Sequence, residues 1–323
     1  MVNQKHKTLK DPQLESLFDA LVKTPQIEIK DLSAHLDLDI DTIISMISTL
    51  NSLGLAIQVI SNKVVIPQNI CALDNHALLA HLHNNHINKP LHYHFTSNST
   101  NRLACENKTE GIYISDYQYA GKGRRKKQWL TPLAQSVAIS ISHDFNFSLQ
   151  RLAGLNIAIG VAIINTAKYF GYHHLGLKWP NDILANKGKV SGILIEASGN
   201  TQNCRAIIGI GLNWNIRQEL LDSIEQDCCN IEINTISRTE FIAQLIIQVN
   251  KVLSEFTAHG LKNLLSKWQA NDLFTGHTIN ILQNDTLIKA QYIGVNLDGS
   301  LQVKIDNYPQ TIASGEVSIR KSD

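Results

Sequence analysis

The chain has 323 residues, with 29 Lys and Arg against 28 Asp and Glu and a formal net charge of +1. That length suggests two or three domains with a sizeable core, and the near-zero charge excludes a global field that would recruit nucleic acid or membrane. The five cysteines (71, 105, 204, 228, 229) show neither C-x-x-C nor a disulfide framework, residues 1 to 7 lack the apolar core of a signal peptide, and no apolar run reaches membrane-spanning length, so a soluble cytoplasmic protein with reduced thiols is expected.

In chain order, residues 12 to 54 predict three short helices. Leu14, Leu17, Phe18, Leu21 and Val22 keep helical spacing, a second helix starts at Ile29 after Thr24-Pro25, and Asp37 to Ile40 form a tight turn. Asp41 to Leu53 make the third helix, stopped by Gly54. Leu55 to Ile60 and Val64 to Ile66, joined by Ser61-Asn62-Lys63, read as a hairpin. Three helices and a two-stranded wing over residues 1–66 resemble a winged helix-turn-helix, whose third helix would enter a DNA major groove. A small helical docking domain is the other reading: Asp37, Asp39 and Asp41 crowd the start of that helix, which has no Lys or Arg before Leu53.

Residues 67–89 read as a linker with a short helix, Asp74 to His83. His76, His81, His83, His86, His92 and His94 cluster there and beyond, and imidazoles suit zinc or nickel. No Cys or carboxylate completes a ligand spacing, so no metal site is expected; His92 and His94 should share one strand face.

Leu91 to Arg102 is extended and leads into Ser99-Thr100-Asn101, which can cap a helix or receive the polar head of a small ligand. Gly111 to Tyr119 predicts a strand that ends at Gln118 and feeds Tyr119-Ala-Gly-Lys-Gly-Arg-Arg-Lys-Lys-Gln-Trp129. Gly121 and Gly123 let backbone N–H groups approach an anion, and Lys122, Arg124, Arg125, Lys126 and Lys127 add positive charge. The spacing is neither a P-loop nor a dinucleotide fingerprint. Taken alone, such a basic run is more often a nucleic-acid patch or a solvated loop.

Ser136 to Ser142 predicts a strand and Leu149 to Phe170 a long apolar helix ending before Gly171. In Lys178-Trp-Pro-Asn-Asp182, Pro180 forces Trp179 to be extended, so Asn181 and Asp182 are presented from a rigid corner. The turn Asn186-Lys-Gly188 leads to the strand Lys189-Val-Ser-Gly-Ile-Leu-Ile-Glu196, and Ala206 to Asn215 is another strand, with glycines that permit close approach. Arg238 to Gln269 reads as one long amphipathic helical region for core packing, with Phe241, Leu245, Val249, Val252 and Phe256 at near-helical spacing. Gly276 to Arg320 alternates short strands with turns at Gln283–Asp285, Leu297–Ser300 and Asp306–Pro309, the pattern of a small barrel.

Gly121-Lys-Gly-Arg-Arg with Trp129, Lys178-Trp-Pro-Asn-Asp182, Lys189-Val-Ser-Gly-Ile-Leu-Ile-Glu196 and Gly209-Ile-Gly-Leu-Asn213, in this order, resemble the biotin protein ligases. With the N-terminal segment, nearly the whole chain resembles the bifunctional biotin ligase/repressor type. Lipoate ligases share the fold but lack this combination. The resemblance implies an α+β protein: a winged helix-turn-helix at 1–66, the linker at 67–89, a catalytic mixed sheet with helices at 90–270, and an SH3-like β-barrel at 271–323, with Ser314 to Ser318 at the usual place.

It also implies MgATP-dependent conversion of biotin to biotinoyl-AMP and pyrophosphate, then transfer to a lysine of the biotin carboxyl carrier protein of acetyl-CoA carboxylase. A repressor that binds operator DNA as a ligand-dependent homodimer is implied as a second role; the alternatives are a DNA-binding small-molecule sensor without ligase activity and a lipoate-type ligase. In this family's pattern Lys189 neutralises the reacting carboxylate and α-phosphate, assisted by Arg124, and Asp182 orients or deprotonates the incoming lysine. Ser99, Thr100, Asn101, Gln118, Lys122, Gly123, Arg124, Lys189 and Gly192 are implied at biotin, and Gly121, Arg124, Arg125, Lys127, Trp129, Lys178, Asn181, Lys189 and Asn213 at ATP. Trp129 is expected as wall and Trp179 as core. The family loop commonly reads G-R-G-R-x-G-R-x-W, so Lys122, Lys126 and Lys127 are departures that should loosen phosphate contacts and stiffen the loop. No Trp lies between Trp214 and Trp268, which leaves the adenine wall without a residue.

Overall fold

The structure, a computed structural model, describes residues 12–233, 235–283, 286–313 and 318–321. Lys5, Lys7, Lys10 and Asp11, most of the expected turn at Gln283–Asp285, and Ser314 to Val317 lie outside the described residues.

Helices α1 (Pro12–Lys23), α2 (Ile29–Leu36) and α3 (Ile40–Ser52) bury Leu17, Phe18, Leu32, Ile43 and Leu50 against one another. The acids between α2 and α3 have local roles in ending and starting helices. Asp37 closes α2 in the left-handed conformation, and the Asp39 side chain caps α3 by accepting the Thr42 N–H at 2.8 Å. The hairpin β2 (Gln58–Ile60) and β3 (Lys63–Val65) turns at Ser61 and Asn62, both at positive φ, as a two-residue hairpin requires. A strand absent from the sequence expectation, β1 (Gln26–Glu28), pairs with the free side of β3 to give the order β1-β3-β2. Three residues are too few for alternation to show.

After α4 (Asn75–Asn84), capped by Asp74, comes a seven-stranded sheet. Its strands are β4 (Leu91–Ser97), β5 (Gly111–Gln118), β6 (Ser136–Phe145), β7 (Gly176–Lys178), β8 (Asp182–Ala185), β9 (Gly188–Gly199) and β10 (Cys204–Asn213), in the order β4-β5-β6-β10-β9-β8-β7. Only β4 and β5 run parallel, and α5 (Thr100–Glu106) connects them. The two-residue period of β6 and β10 divides the sheet. Val137, Ile139, Ile141, Ile208, Ile210 and Leu212 join the core with α6 (Leu155–Tyr169) and α8 (Arg238–His259), leaving Ser140, Gly209 and Gly211 toward the other face.

The expected long helix at 149–170 is broken. Leu149–Leu152 is a short 3-10 turn and Gly154, at φ 84°, restarts the chain as α6. Leu149–Tyr169 is, against expectation, long and apolar enough by composition to cross a membrane; its window is 72% buried inside the fold, and core packing accounts for its apolarity. Arg238 to Gln269 likewise divides, at Gly260, into α8 and α9 (Leu265–Gln269), while α7 (Gln218–Leu221) follows β10.

Strands β11 (Thr278–Gln283), β12 (Thr286–Val295), β13 (Leu301–Ile305), β14 (Tyr308–Ile312) and β15 (Ser318–Lys321) form an antiparallel sheet, β14-β13-β12-β11-β15. Its buried Ile279, Ile281, Tyr292 and Leu301 are continuous with the central core. Trp179, 1% exposed, donates its indole N–H to Gly299 O at 3.0 Å, so its role is core and anchor. At the other end Leu133, Ala134 and Phe95 share the core of α1–α3, and Leu133 N–H bonds Leu53 O at 2.9 Å. Deep in that junction Arg238 and Asp116 form an ion pair at 2.6 Å, with side chains 2% and 0% exposed.

Candidate active site

The site is a cavity of about 760 Å³ on the face of the sheet where β10 presents Gly209 and Gly211. That volume is in the range of small-molecule sites. Its floor is glycine for a steric reason. A methyl at Gly209 would collide with the Asn101 side chain and one at Gly211 with the Trp129 indole, so any larger residue would evict a wall of the cavity.

One end is a closed polar network. Thr100 N–H donates to Gln118 Oε1 at 2.7 Å, and Gln118 Nε2 donates to Thr131 Oγ1 at 2.9 Å. Ser140 Oγ lies 2.6 Å from Asn101 Oδ1, and Asn101 Nδ2 donates to Glu196 Oε2 at 2.8 Å. Ser99 precedes α5 but its side chain makes no capping bond; the first helical N–H is satisfied by Gln118 instead.

The other end carries charge. Lys189 Nζ lies 2.7 Å from Asp182 Oδ1, both side chains being less than a fifth exposed, and 5.4 Å from the centre of the Trp129 ring. A cation over an indole at that distance is favoured. Asn213 Nδ2 bonds Lys189 O and Cys229 O, fixing the backbone behind the lysine. Trp179–Pro180 is a cis peptide, and Asn156 Nδ2 bonds Pro180 O at 2.6 Å.

The basic loop lies across the mouth. Gly123 N–H bonds Lys127 O at 2.7 Å and Trp129 N–H bonds Gly121 O at 2.9 Å, so it closes as a short hairpin. Arg124 reaches across to Asn181 Oδ1 at 2.7 Å, and Asn181 is held in turn by Ile193 O. Burial holds the Arg124 pKa below its usual value, with Asp182 opposing and Arg125 adding to the shift. Arg125 and Lys126 both sit at positive φ, 54° and 59°. Lys126 occupies the position where the family loop commonly has glycine.

Ser99, Thr100, Asn101, Gln118, Lys122, Gly123, Arg124, Arg125, Lys127, Trp129, Lys178, Asn181, Asp182, Lys189, Gly192 and Asn213 all line this one cavity. Gly121 lies behind the wall, with the Trp129 carbonyl against the place its Cβ would take. Ile224 to Cys228 also line it, a segment that carries no motif. Its signal is only structural: Lys189 N–H bonds Asp227 O and Cys229 N–H bonds Lys189 O. Burial pushes the Cys228 thiol up, with Asp227 and Asp222 adding and Lys189 opposing. Among the described residues no group of three or more His, Cys, Asp or Glu could hold a metal ion; His92 instead stacks on Tyr113 with ring centres 4.7 Å apart.

A match to the biotin/lipoate A/B protein ligase family spans residues 94–213, from β4 to the end of β10. Residues 94–213 are a biotin/lipoate ligase domain. The ligase domain contains both ends of the cavity and the loop between them. Over 213 residues, 65% of this chain and 67% of the relative, the protein is 28% identical to the bifunctional ligase/repressor BirA of Salmonella typhimurium. Over 104 residues, 30% of this chain and 41% of the relative, it is 35% identical to the biotin–[acetyl-CoA-carboxylase] ligase of Paracoccus denitrificans. The fold is similar to that of the Aquifex aeolicus biotin protein ligase solved with biotin and ATP: TM-score 0.60 and 23% identity, covering 72% of this chain and 100% of that one.

Proposed function

We propose that the protein is an ATP-dependent biotin protein ligase. The observation that carries this reading is the division of one cavity into a neutral hydrogen-bonding end at Thr100, Asn101 and Gln118 and a cationic end at Lys189 and Arg124. A ligand with a polar, uncharged ring and a carboxylate tail fits in that orientation, with its tail toward the phosphates.

In the first step a biotin carboxylate oxygen attacks the α-phosphorus of ATP, the bond to the β-phosphate oxygen breaks, and pyrophosphate leaves. Two anions must meet, and Lys189 and Arg124 stabilise the charge that accumulates between them. Magnesium enters with the triphosphate. Glu225 and Asp227 line the wall and would be the carboxylates available to hold it, because Mg²⁺ is usually bound by one or two carboxylates plus substrate phosphate oxygens. As Lys189 turns to the reacting centre, Asp182 loses its ion-pair partner and becomes free to act. In the second step the ε-amine of a carrier-protein lysine attacks the acyl carbon, AMP leaves, and Asp182 takes the amine proton. The acceptor is the biotin carboxyl carrier protein of acetyl-CoA carboxylase.

The chain divides as 1–66, 67–89, 90–270 and 271–323, the first part a winged helix-turn-helix and the last an SH3-like barrel. The Salmonella typhimurium relative, named as a bifunctional ligase/repressor, and the helix-rich N-terminal part support a second role as a biotin-responsive repressor, acting as a ligand-dependent homodimer. Pyrophosphate release that requires both biotin and ATP tests the enzyme, and biotin-dependent binding to an inverted-repeat operator tests the repressor. Release with lipoate in place of biotin would favour the lipoate reading.

A further inference from the structure

The last residue of the Lys189-to-Glu196 motif has no role in the chemistry above. Glu196 is half-buried on β9 and does not line the cavity. Its carboxylate nevertheless joins two residues that do. Oε2 accepts from Asn101 Nδ2 at 2.8 Å, and Oε1 faces Lys122 Nζ at 3.7 Å. Asn101 is therefore held on three sides, by Glu196, by Ser140 at its other amide atom, and by Gly209 beneath, where only a missing Cβ leaves room. Lys122 belongs to the loop, and its pairing with Glu196 ties that loop to β9, as Arg124 ties it to Asn181.

We propose that Glu196 is a positioning residue that couples the two ends of the site. It fixes the orientation of the Asn101 amide, which recognises the polar ring of biotin, and with the same carboxylate it draws the loop down through Lys122. This rests on the ligase reading of the cavity. Occupation of the Asn101 end and closure of the loop over the adenylate then support each other, because one carboxylate is shared by both.

The two oxygens make separable predictions. Glu196→Gln keeps an amide oxygen that can accept from Asn101 but removes the charge facing Lys122. Glu196→Ala removes both. For Glu196→Gln the biotin KM should stay within about twofold of the parent, while biotinoyl-AMP is released about two- to fivefold faster, the range of a partly exposed ion pair. For Glu196→Ala the biotin KM should also rise about tenfold, the loss of a hydrogen bond to a charged acceptor. Lys122→Met should speed release like Glu196→Gln, and the double variant no further.

Stopped-flow release of biotinoyl-AMP, with steady-state biotin KM, reads all four variants. Release and KM unchanged in both Glu196 variants, or Lys122 and Glu196 effects that multiply, would overturn the coupling. If the parent chain forms no biotinoyl-AMP from biotin and ATP, the ligase reading fails instead. Should Glu196→Ala not fold, the near-isosteric Glu196→Gln still decides the loop half.

Discussion

Lys189 and Asp182 hold each other at 2.7 Å from two strands, β9 and β8, that meet in the same sheet. The sequence places them seven residues apart across a turn, and the pairing of Asp182 with Gly192 brings the carboxylate alongside the lysine. In the proposed mechanism the pair keeps the cation and the candidate base mutually neutralised until a carboxylate substrate competes for the lysine. Lys189→Ala should therefore lower biotin-dependent ATP–pyrophosphate exchange by about 100-fold or more, the effect of losing one electrostatic contact of roughly 3 kcal/mol. Asp182→Asn should leave adenylate formation closer to the parent and slow transfer to the carrier more strongly. Single-turnover measurement of each step separates the two, and equal loss in both steps would remove Asp182 from the second.

Lys126 stands at φ 59° in a loop whose relatives in the family pattern commonly place glycine there. A side chain in that region costs about 1 kcal/mol, partly offset by the greater freedom a glycine loses on ordering. Lys126→Gly should relieve the cost in the closed loop and slow biotinoyl-AMP release by about two- to fivefold. Lys126→Ala removes the same charge without the relief and should not slow release. If both variants behave alike, charge rather than backbone conformation sets the loop's stability.

Arg238 reaches Asp116, Ser136 O and Cys71 O from the start of α8, beneath the α1–α3 helices. Removing one partner of a buried pair leaves the other charge uncompensated, at about 3–5 kcal/mol. Arg238→Ala should show that loss in urea unfolding. Arg238→Met with Asp116→Leu should recover most of it, because an apolar pair of similar volume avoids the desolvation cost. A double variant no better than Arg238→Ala would mean that the guanidinium's carbonyl contacts matter more than the ion pair.

Residues 1 to 66 contain six lysines and eight aspartates and glutamates. On α3 the exposed positions include Asp41, Ile40 and Ile44, with no cation between 31 and 62. Most non-specific DNA affinity comes from Lys and Arg against phosphate, so operator binding should be weak, restricted to low salt, and dependent on biotin and ATP. Fluorescence anisotropy on the promoter of the biotin genes from the same genome checks this. Nanomolar, selective binding at physiological salt would show that the acids at the α2–α3 turn face away from the groove.

Much of the cavity's lining was legible because it falls on residues with narrow conformational or charge uses. Two glycines among five cations, a Pro-fixed corner and alternating glycines in an apolar strand each restrict what the backbone can do, and the cavity is built where these three meet. Other parts carry no such mark. Ile224 to Cys228 reach the cavity through backbone bonds to Lys189, which any residue types could make. Glu196 reads as a polar residue at a strand end, and only the fold brings Asn101 and Lys122 to it. The break at Gly154 was concealed by the apolar run around it, since periodicity reports burial more strongly than helix continuity.

The central claim is that the cavity joins biotin to AMP. ATP–pyrophosphate exchange, measured on the full chain with biotin, with lipoate, and with neither, tests it most directly. Exchange should require biotin, fall to background with lipoate or with no acid, and be lost in Lys189→Ala. Exchange that is independent of biotin, or supported equally by lipoate, would contradict the account.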